Sequence, residues 1–76
     1  MTSDLYATWG SRVRAARLDA GLTQQALADR AGSTKAMVSN IERGKSSVGD
    51  ALRVRLANVL GLSANDLFPY PDAVPA

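Results

Sequence analysis

The chain has 76 residues, 46% hydrophobic and 21% charged, which is the composition of one small globular domain rather than of a disordered segment. It contains neither Cys nor His, which excludes disulfides, thiolate nucleophiles and metal or acyl-transfer sites that depend on those residues. The net charge is only +2, but residues 12–55 hold all nine basic residues and four of the acidic ones. This basic middle segment, at +5, is compatible with a polyanionic partner.

The sequence shows neither a membrane span nor a secretory signal. The longest run without a charged residue is ten residues, Leu56 to Asn65, whereas a span needs about 20. Residues 1–11 lack the positive start and the apolar stretch of a signal peptide. We therefore expect a soluble cytoplasmic domain that makes no membrane contact.

Apolar residues that recur at three- and four-residue steps predict five helices, four of which end at a glycine. The predicted helices are Leu5 to Asp19, Gln24 to Ala31, Lys35 to Arg43, a fourth that begins near Val48, and Ala64 to Phe68. Strict alternation nowhere persists long enough for a strand. Residues 1–68 are thus predicted to form one all-α domain, and the proline-rich residues 69–76 an irregular tail.

Helix starts and inward faces can also be predicted. Side-chain N-caps are expected at Thr23, at Thr34 or Ser33, at Ser47 and at Ser63. Ser47 and Asp50 have the spacing of a capping box, in which the two residues bond each other's backbone N–H groups. The residues predicted to face the core are Leu5, Trp9, Val13, Ala16, Leu27, Ala28, Ala31, Val38, Ile41, Ala51, Leu52, Leu56, Val59 and Leu60.

The most informative segment is residues 24–41, where two short helices flank a turn that contains Gly32. This is the pattern of a helix-turn-helix, and Ala28 is small enough for the third helix to cross close above it. The outward face of the third helix then carries Lys35, Ala36, Ser39, Asn40 and Arg43. These types suit a helix in the major groove, because Lys donates to guanine, Asn bridges adenine and Ala meets the thymine methyl group. The alternative interpretation is the solvated outer face of an ordinary helical bundle.

Short motifs along residues 9–68 occur together at characteristic spacings. They are Arg12-Val13-Arg14, Arg17, Gly21-Leu22-Thr23-Gln24, Leu27-Ala28, Ala31-Gly32, Val38 to Lys45, Leu60-Gly61-Leu62-Ser63 and Leu67-Phe68. In this combination the chain resembles the Cro/phage-repressor (xenobiotic-response-element type) family of helix-turn-helix DNA-binding domains. The resemblance implies a compact, five-helix, lambda-repressor-like domain whose second and third helices form the helix-turn-helix, and which binds DNA and regulates transcription.

The resemblance also implies roles for individual residues. Base-reading positions of the third helix are matched by Lys35, Ala36, Ser39 and Asn40. Phosphate-contacting positions are matched by Gln24, Thr34, Arg43 and Lys45. A structural ion pair between helices 1 and 3 is matched by Arg17 and Glu42. The expected partner is a pseudo-palindromic operator in double-stranded DNA, bound by a homodimer. No cofactor, metal, small-molecule ligand or enzymatic activity is expected.

The dimer contact and the biological role each have an alternative. The resemblance implies a dimer contact around the fifth helix, where Leu62, Leu67, Phe68 and Tyr70 supply apolar side chains, but Leu67 and Phe68 fit equally well in the core. The alternative function is an antitoxin or another protein-interaction module that keeps the same fold. The sequence does not choose among phage, restriction-modification and antitoxin contexts.

Overall fold

The computed structural model describes residues 2–70, which form five α-helices and no strand. The helices are α1 (Thr2–Asp19), α2 (Gln24–Ala31), α3 (Lys35–Glu42), α4 (Asp50–Leu60) and α5 (Ala64–Leu67). The predicted all-α class and helix order are confirmed, and positions 71–76 of the predicted tail lie outside the described residues. No helix within residues 2–70 combines the length and the apolar composition needed to cross a bilayer.

Local hydrogen bonds define the ends of most helices. Three predicted N-cap hydroxyl groups accept a backbone N–H from the residue three positions on, at 3.0 to 3.1 Å: those of Thr23, Thr34 and Ser63. The four glycines predicted to follow helix ends all have a positive φ: Gly21, Gly32, Gly44 and Gly61. These interactions join residues close in sequence, which is why the pattern of residues predicts them.

A single hydrophobic core lies between the helices. Its buried members are Trp9, Val13, Leu27, Ala28, Ala31, Val38, Ile41, Val48, Leu56, Ala57, Leu67 and Phe68. Helix α3 packs against both α1 and α2, while α4 packs against α2 and α5. Each large aliphatic side chain buried here contributes about 1.5–3 kcal/mol. Leu27, Val38 and Ile41 therefore hold the α2–α3 pair in one arrangement.

The predicted start of α4 was wrong. The helix begins at Asp50 rather than near Val48, its N-cap is Gly49, and no side chain caps it. The predicted capping box between Ser47 and Asp50 does not form, because the preceding chain instead buries Val48, which is only 5% exposed. Gly49 still has an extended backbone, with φ −69° and ψ 161°, so the helix begins about two residues later than the local pattern predicts.

The inward face of α4 also differs from the prediction. Ala51 was expected in the core but is exposed, whereas Ala57 is buried and was not predicted. The other predicted members of this face are buried or half-buried: Leu52, Leu56, Val59 and Leu60. Remaining differences are shifts of helix ends by one to three residues, at the start of α1 and at the ends of α3 and α5.

Trp9 holds the chain that follows α5. Its indole N–H donates a hydrogen bond of 2.8 Å to the carbonyl oxygen of Pro69. Its ring meets those of Phe68 and Tyr70 nearly edge-on, at centroid distances of 5.4 and 5.5 Å. The guanidinium carbon of Arg53 lies 5.3 Å from the ring centroids of both Trp9 and Tyr70. Residues 69 and 70 therefore pack on the domain.

The apolar residues around α5 divide between core and surface. Leu67 and Phe68 are buried, so their role is to close the core and they offer no exposed dimer surface. Leu62 and Tyr70 remain 41% and 60% exposed. Any contact with a second copy around α5 therefore falls to these two side chains and their neighbours.

Candidate nucleic-acid interface

Helix α3 has one buried side and one exposed side. On the first side, Val38 and Ile41 are buried in the core. The residues predicted to read bases all lie away from that side: Lys35 and Ala36 are exposed, and Ser39 and Asn40 are half-buried. Because the first two precede the last two by three to five positions, these four residues lie on the same half of the helix.

Asn40 and Arg43 are joined on this exposed side. Nη2 of Arg43 donates a hydrogen bond of 3.0 Å to Oδ1 of Asn40. Because a guanidinium group can only donate, this bond turns the amide oxygen of Asn40 toward Arg43 and its NH2 group away from it. One lone pair of Oδ1 stays available to a second donor.

Gly44 positions the two cations at the end of α3. The N–H of Gly44 bonds the carbonyl of Ile41 at 3.0 Å and that of Lys45 bonds the carbonyl of Asn40 at 2.9 Å, which is the Schellman arrangement. Gly44 has a φ of +72°, and an added Cβ would lie 3.0 Å from the Cα of Ala7. Only glycine fits both conditions, so the flanking Arg43 and Lys45 leave the helix in a defined direction.

Two further predicted contacts lie at helix starts. Gln24 is the first residue of α2, and its Nε2 donates a hydrogen bond of 3.1 Å to Oε1 of Glu42. This bond uses one amide hydrogen and leaves the second. Thr34 caps α3 by accepting the N–H of Met37, which leaves its own hydroxyl hydrogen free to donate. The partial positive charge of a helix N-terminus favours an anion at both places.

Arg17 and Glu42 form an ion pair beneath this surface. Nε and Nη2 of Arg17 donate to the two carboxylate oxygens at 2.6 and 3.0 Å, and Nη1 donates to the carbonyl of Leu22 at 2.9 Å. The two side chains are 9% and 3% exposed. Hydrogen bonding to Glu42 raises the pKa of Arg17 above its usual value, although burial acts in the opposite direction. The pair ties α1 and the α1–α2 turn to the end of α3.

The predicted site residues thus fall into groups. One network joins Gln24, Glu42 and Arg17, and a second joins Asn40 and Arg43. Thr34 caps the start of α3. The remaining predicted residues that carry a polar side chain are Lys35, Ser39 and Lys45. Within residues 2–70 their side chains make no hydrogen bond or ion pair, so their donors are available to a ligand.

Sequence reasoning missed one residue that positions α3 and one that positions α2. An added Cβ on Gly10 would lie only 2.2 Å from the carbonyl oxygen of Ile41, so α1 and α3 approach closely at this point. The available signal was a glycine inside a helix, which costs about 1 kcal/mol relative to alanine. Arg55 donates from Nε to the carbonyl of Ala31 at 2.8 Å and thereby satisfies the end of α2. Nothing in the local pattern around Arg55 indicates this contact.

Comparisons with known proteins agree with this geometry. A family model described as helix-turn-helix matches residues 13–67. The chain is 38% identical over 61 residues to YazB of Bacillus subtilis strain 168, an uncharacterized HTH-type transcriptional regulator; the match covers 80% of this chain and 88% of YazB.

Solved structures give the same result. The chain is similar to the restriction-modification controller protein C.AhdI from Aeromonas hydrophila, with a TM-score of 0.79, 32% identity and coverage of 83% of this chain and 96% of C.AhdI. It is also similar to the clp gene regulator ClgR from Corynebacterium glutamicum, with a TM-score of 0.79, 30% identity and coverage of 83% and 67%.

The fold and these matches define a DNA-binding transcriptional regulator. The chain belongs to the helix-turn-helix family of Cro/C1 type, which confirms the family predicted from its motifs. Helices α2 and α3 are its helix-turn-helix.

Proposed function

We propose that this regulator binds a pseudo-palindromic operator in double-stranded DNA as a homodimer, with α3 in the major groove. It acts in the cytoplasm, without enzymatic activity, a cofactor or a small-molecule ligand. The exposed side of α3 carries this proposal, because Lys35 and Ala36 are exposed on its first turn while Val38 and Ile41 hold its opposite side in the core. Helix-turn-helix proteins place the N-terminal residues of this helix against base edges.

Each proposed base contact follows from side-chain chemistry. The ammonium group of Lys35 donates to guanine, the methyl group of Ala36 meets a thymine methyl group, and the hydroxyl group of Ser39 donates or accepts. Asn40 uses its NH2 group and its carbonyl oxygen together on adenine. The hydrogen bond from Arg43 supports this contact, because it orients the amide while leaving a lone pair of Oδ1 for the adenine amino group.

The proposed phosphate contacts flank the base-reading residues. Gln24 and Thr34 donate from the starts of α2 and α3, and Arg43 and Lys45 donate from the end of α3. Each phosphate neutralised by a cation contributes about 0.9 to the slope of log K against log salt concentration. Contacts from two copies of the chain therefore make binding strongly salt-dependent.

Homodimer formation is proposed for two reasons. A single small module buries only about 600–1,000 Å² on DNA, which limits its affinity. Leu62 and Tyr70 leave apolar surface exposed around α5, outside the helix-turn-helix. Sedimentation of the free protein and of its DNA complex should reveal two copies at least on DNA, and a strict monomer in both states would overturn this part of the proposal.

Selection of bound sites from random duplex DNA tests the proposal as a whole. We expect an enriched pseudo-palindrome whose half-sites lie about 34 Å apart, one helical turn. Ala36→Glu is the matched control, since it adds bulk and negative charge on the exposed side of α3 and should abolish enrichment without unfolding the protein. Absence of any enriched sequence for the unaltered chain would favour the protein-interaction alternative.

A further inference from the structure

Met37 is a partly exposed apolar residue on the proposed reading helix, outside the set of proposed base and phosphate contacts. It lies in the first turn of α3 and is 36% exposed. Its backbone N–H is held by the N-cap hydroxyl group of Thr34 at 3.1 Å. Its sulfur lies 3.7 Å from the hydroxyl oxygen of Ser46, in the loop that follows α3, and the hydrogen of that hydroxyl is shared with the carbonyl oxygen of Ser47 at 3.0 Å. The sulfur end of the side chain therefore lies beside this loop while part of the side chain faces solvent.

The position of Met37 on the helix brings it to the edge of the exposed side. It follows Ala36 directly and precedes Asn40 by three positions, so it shares a flank of the helix with Asn40. Ile41, one turn further on, is buried. Met37 thus borders both the core and the side that carries the proposed base-reading residues. Its thioether chain presents a polarisable apolar surface there.

We propose that Met37 contacts the C5-methyl group of a thymine in the major groove and thereby selects thymine at one position of each half-site. The inference rests on the proposed function, because it requires α3 to lie in that groove. Thymine alone among the four bases presents a methyl group there, and an apolar side chain has no other complementary feature to bind. The contact is distinct from that of Ala36, which lies about 100° away around the helix.

Replacement of thymine by deoxyuridine tests this contact, because it removes only the methyl group. In the selected operator, each thymine is replaced singly, and the affinities of the unaltered protein and of Met37→Ala are compared. Loss of one buried methyl group should weaken binding of the unaltered protein by about fourfold at the thymine that Met37 contacts in each half-site, in addition to any loss at the thymine that Ala36 contacts. Met37→Ala should bind the thymine operator more weakly and should be insensitive to the replacement at that position alone.

Two controls identify the residue responsible. Met37→Leu keeps an apolar side chain and should retain sensitivity to the replacement, whereas Ala36→Gly should remove sensitivity at a different thymine. Urea unfolding curves of each variant identify conditions in which all of them are folded, and binding is compared under those conditions. The inference is overturned if Met37→Ala keeps the same sensitivity at every thymine, or if every sensitive thymine depends on Ala36. Failure of the proposed function is a separate result, namely the absence of any enriched operator.

Discussion

The guanidinium group of Arg17 and the carboxylate group of Glu42 face each other through two hydrogen bonds in the interior of the domain, so α1 is tied to the last turn of α3. The same carboxylate accepts a bond from Gln24 at the start of α2. Three helices of the DNA-binding unit therefore depend on one acidic residue, and the orientation of the proposed reading helix depends on it as well.

Removal of one partner of this pair should strongly destabilise the domain. Arg17→Met leaves the Glu42 carboxylate buried without its cation, at a cost of about 3–5 kcal/mol. In a domain of this size each kcal/mol lowers Tm by about 4–8 °C. Thermal unfolding followed by circular dichroism measures the shift.

Arg30→Met is the matched control for this prediction, because Arg30 is an exposed arginine at the end of α2 and forms no ion pair within residues 2–70. Glu42→Gln keeps a hydrogen-bond acceptor in place and should destabilise less than Arg17→Met. Equal shifts for Arg17→Met and Arg30→Met would contradict a structural role for the buried pair.

Substitution of Asn40 should reduce sequence specificity, whereas substitution of Lys45 should reduce the affinity for any DNA sequence. Asn40→Ala should cost about 1–3 kcal/mol on the best operator and relax the preference at one or two base pairs of each half-site. Lys45→Ala should weaken binding to all duplexes similarly and reduce the salt slope by about one unit per lost contact. Binding of both variants to every single-base change of the operator measures the difference. A uniform loss for both would mean that α3 does not read the bases.

Gly10→Ala should destabilise the protein although alanine is the better helix former. An added Cβ meets the backbone carbonyl oxygens of Ile41 and Glu42 at 2.2 and 2.7 Å, and backbone atoms cannot move aside as a side chain can. We expect a net loss of about 1–3 kcal/mol, as for other overpacked sites. Ala15→Gly, at an exposed position of the same helix, measures the difference in stability between alanine and glycine that helix propensity alone produces. A rise in the free energy of unfolding for Gly10→Ala would rule out the close approach of α1 and α3.

Gly49→Ser should stabilise the protein by supplying the missing cap of α4. Gly49 has φ −69° and ψ 161°, the extended backbone of an N-cap, and an added Cβ would meet nothing within 4 Å. The added hydroxyl cap, together with the lower flexibility of serine than of glycine in the unfolded chain, should raise the free energy of unfolding by about 0.5–1 kcal/mol. Gly21→Ser is the control, because that site is equally open but has a φ of +73°, which strains any side chain. Urea unfolding should show a higher free energy of unfolding for Gly49→Ser and a lower one for Gly21→Ser than for the unaltered protein.

The parts of the fold that were predictable depend on residues close together in the chain. Helices α2 and α3 start where predicted because Thr23 and Thr34 bond N–H groups three residues ahead. The start of α4 was not predictable in this way, because burial of Val48 overrides the local capping signal of Ser47. That burial depends on a core built by distant helices.

The same distinction applies to the candidate site. The residue types on α3 and their helical spacing follow from the sequence alone, and with the motifs they suffice to indicate the family. Only the tertiary structure decided that Arg55 bonds the end of α2, that Gly10 admits the end of α3, and that Phe68 closes the core. A repeating pattern specifies which side of a helix is apolar. The identity of the atoms that meet across that side depends on how closely two helices approach, which is set by the packing of the whole core.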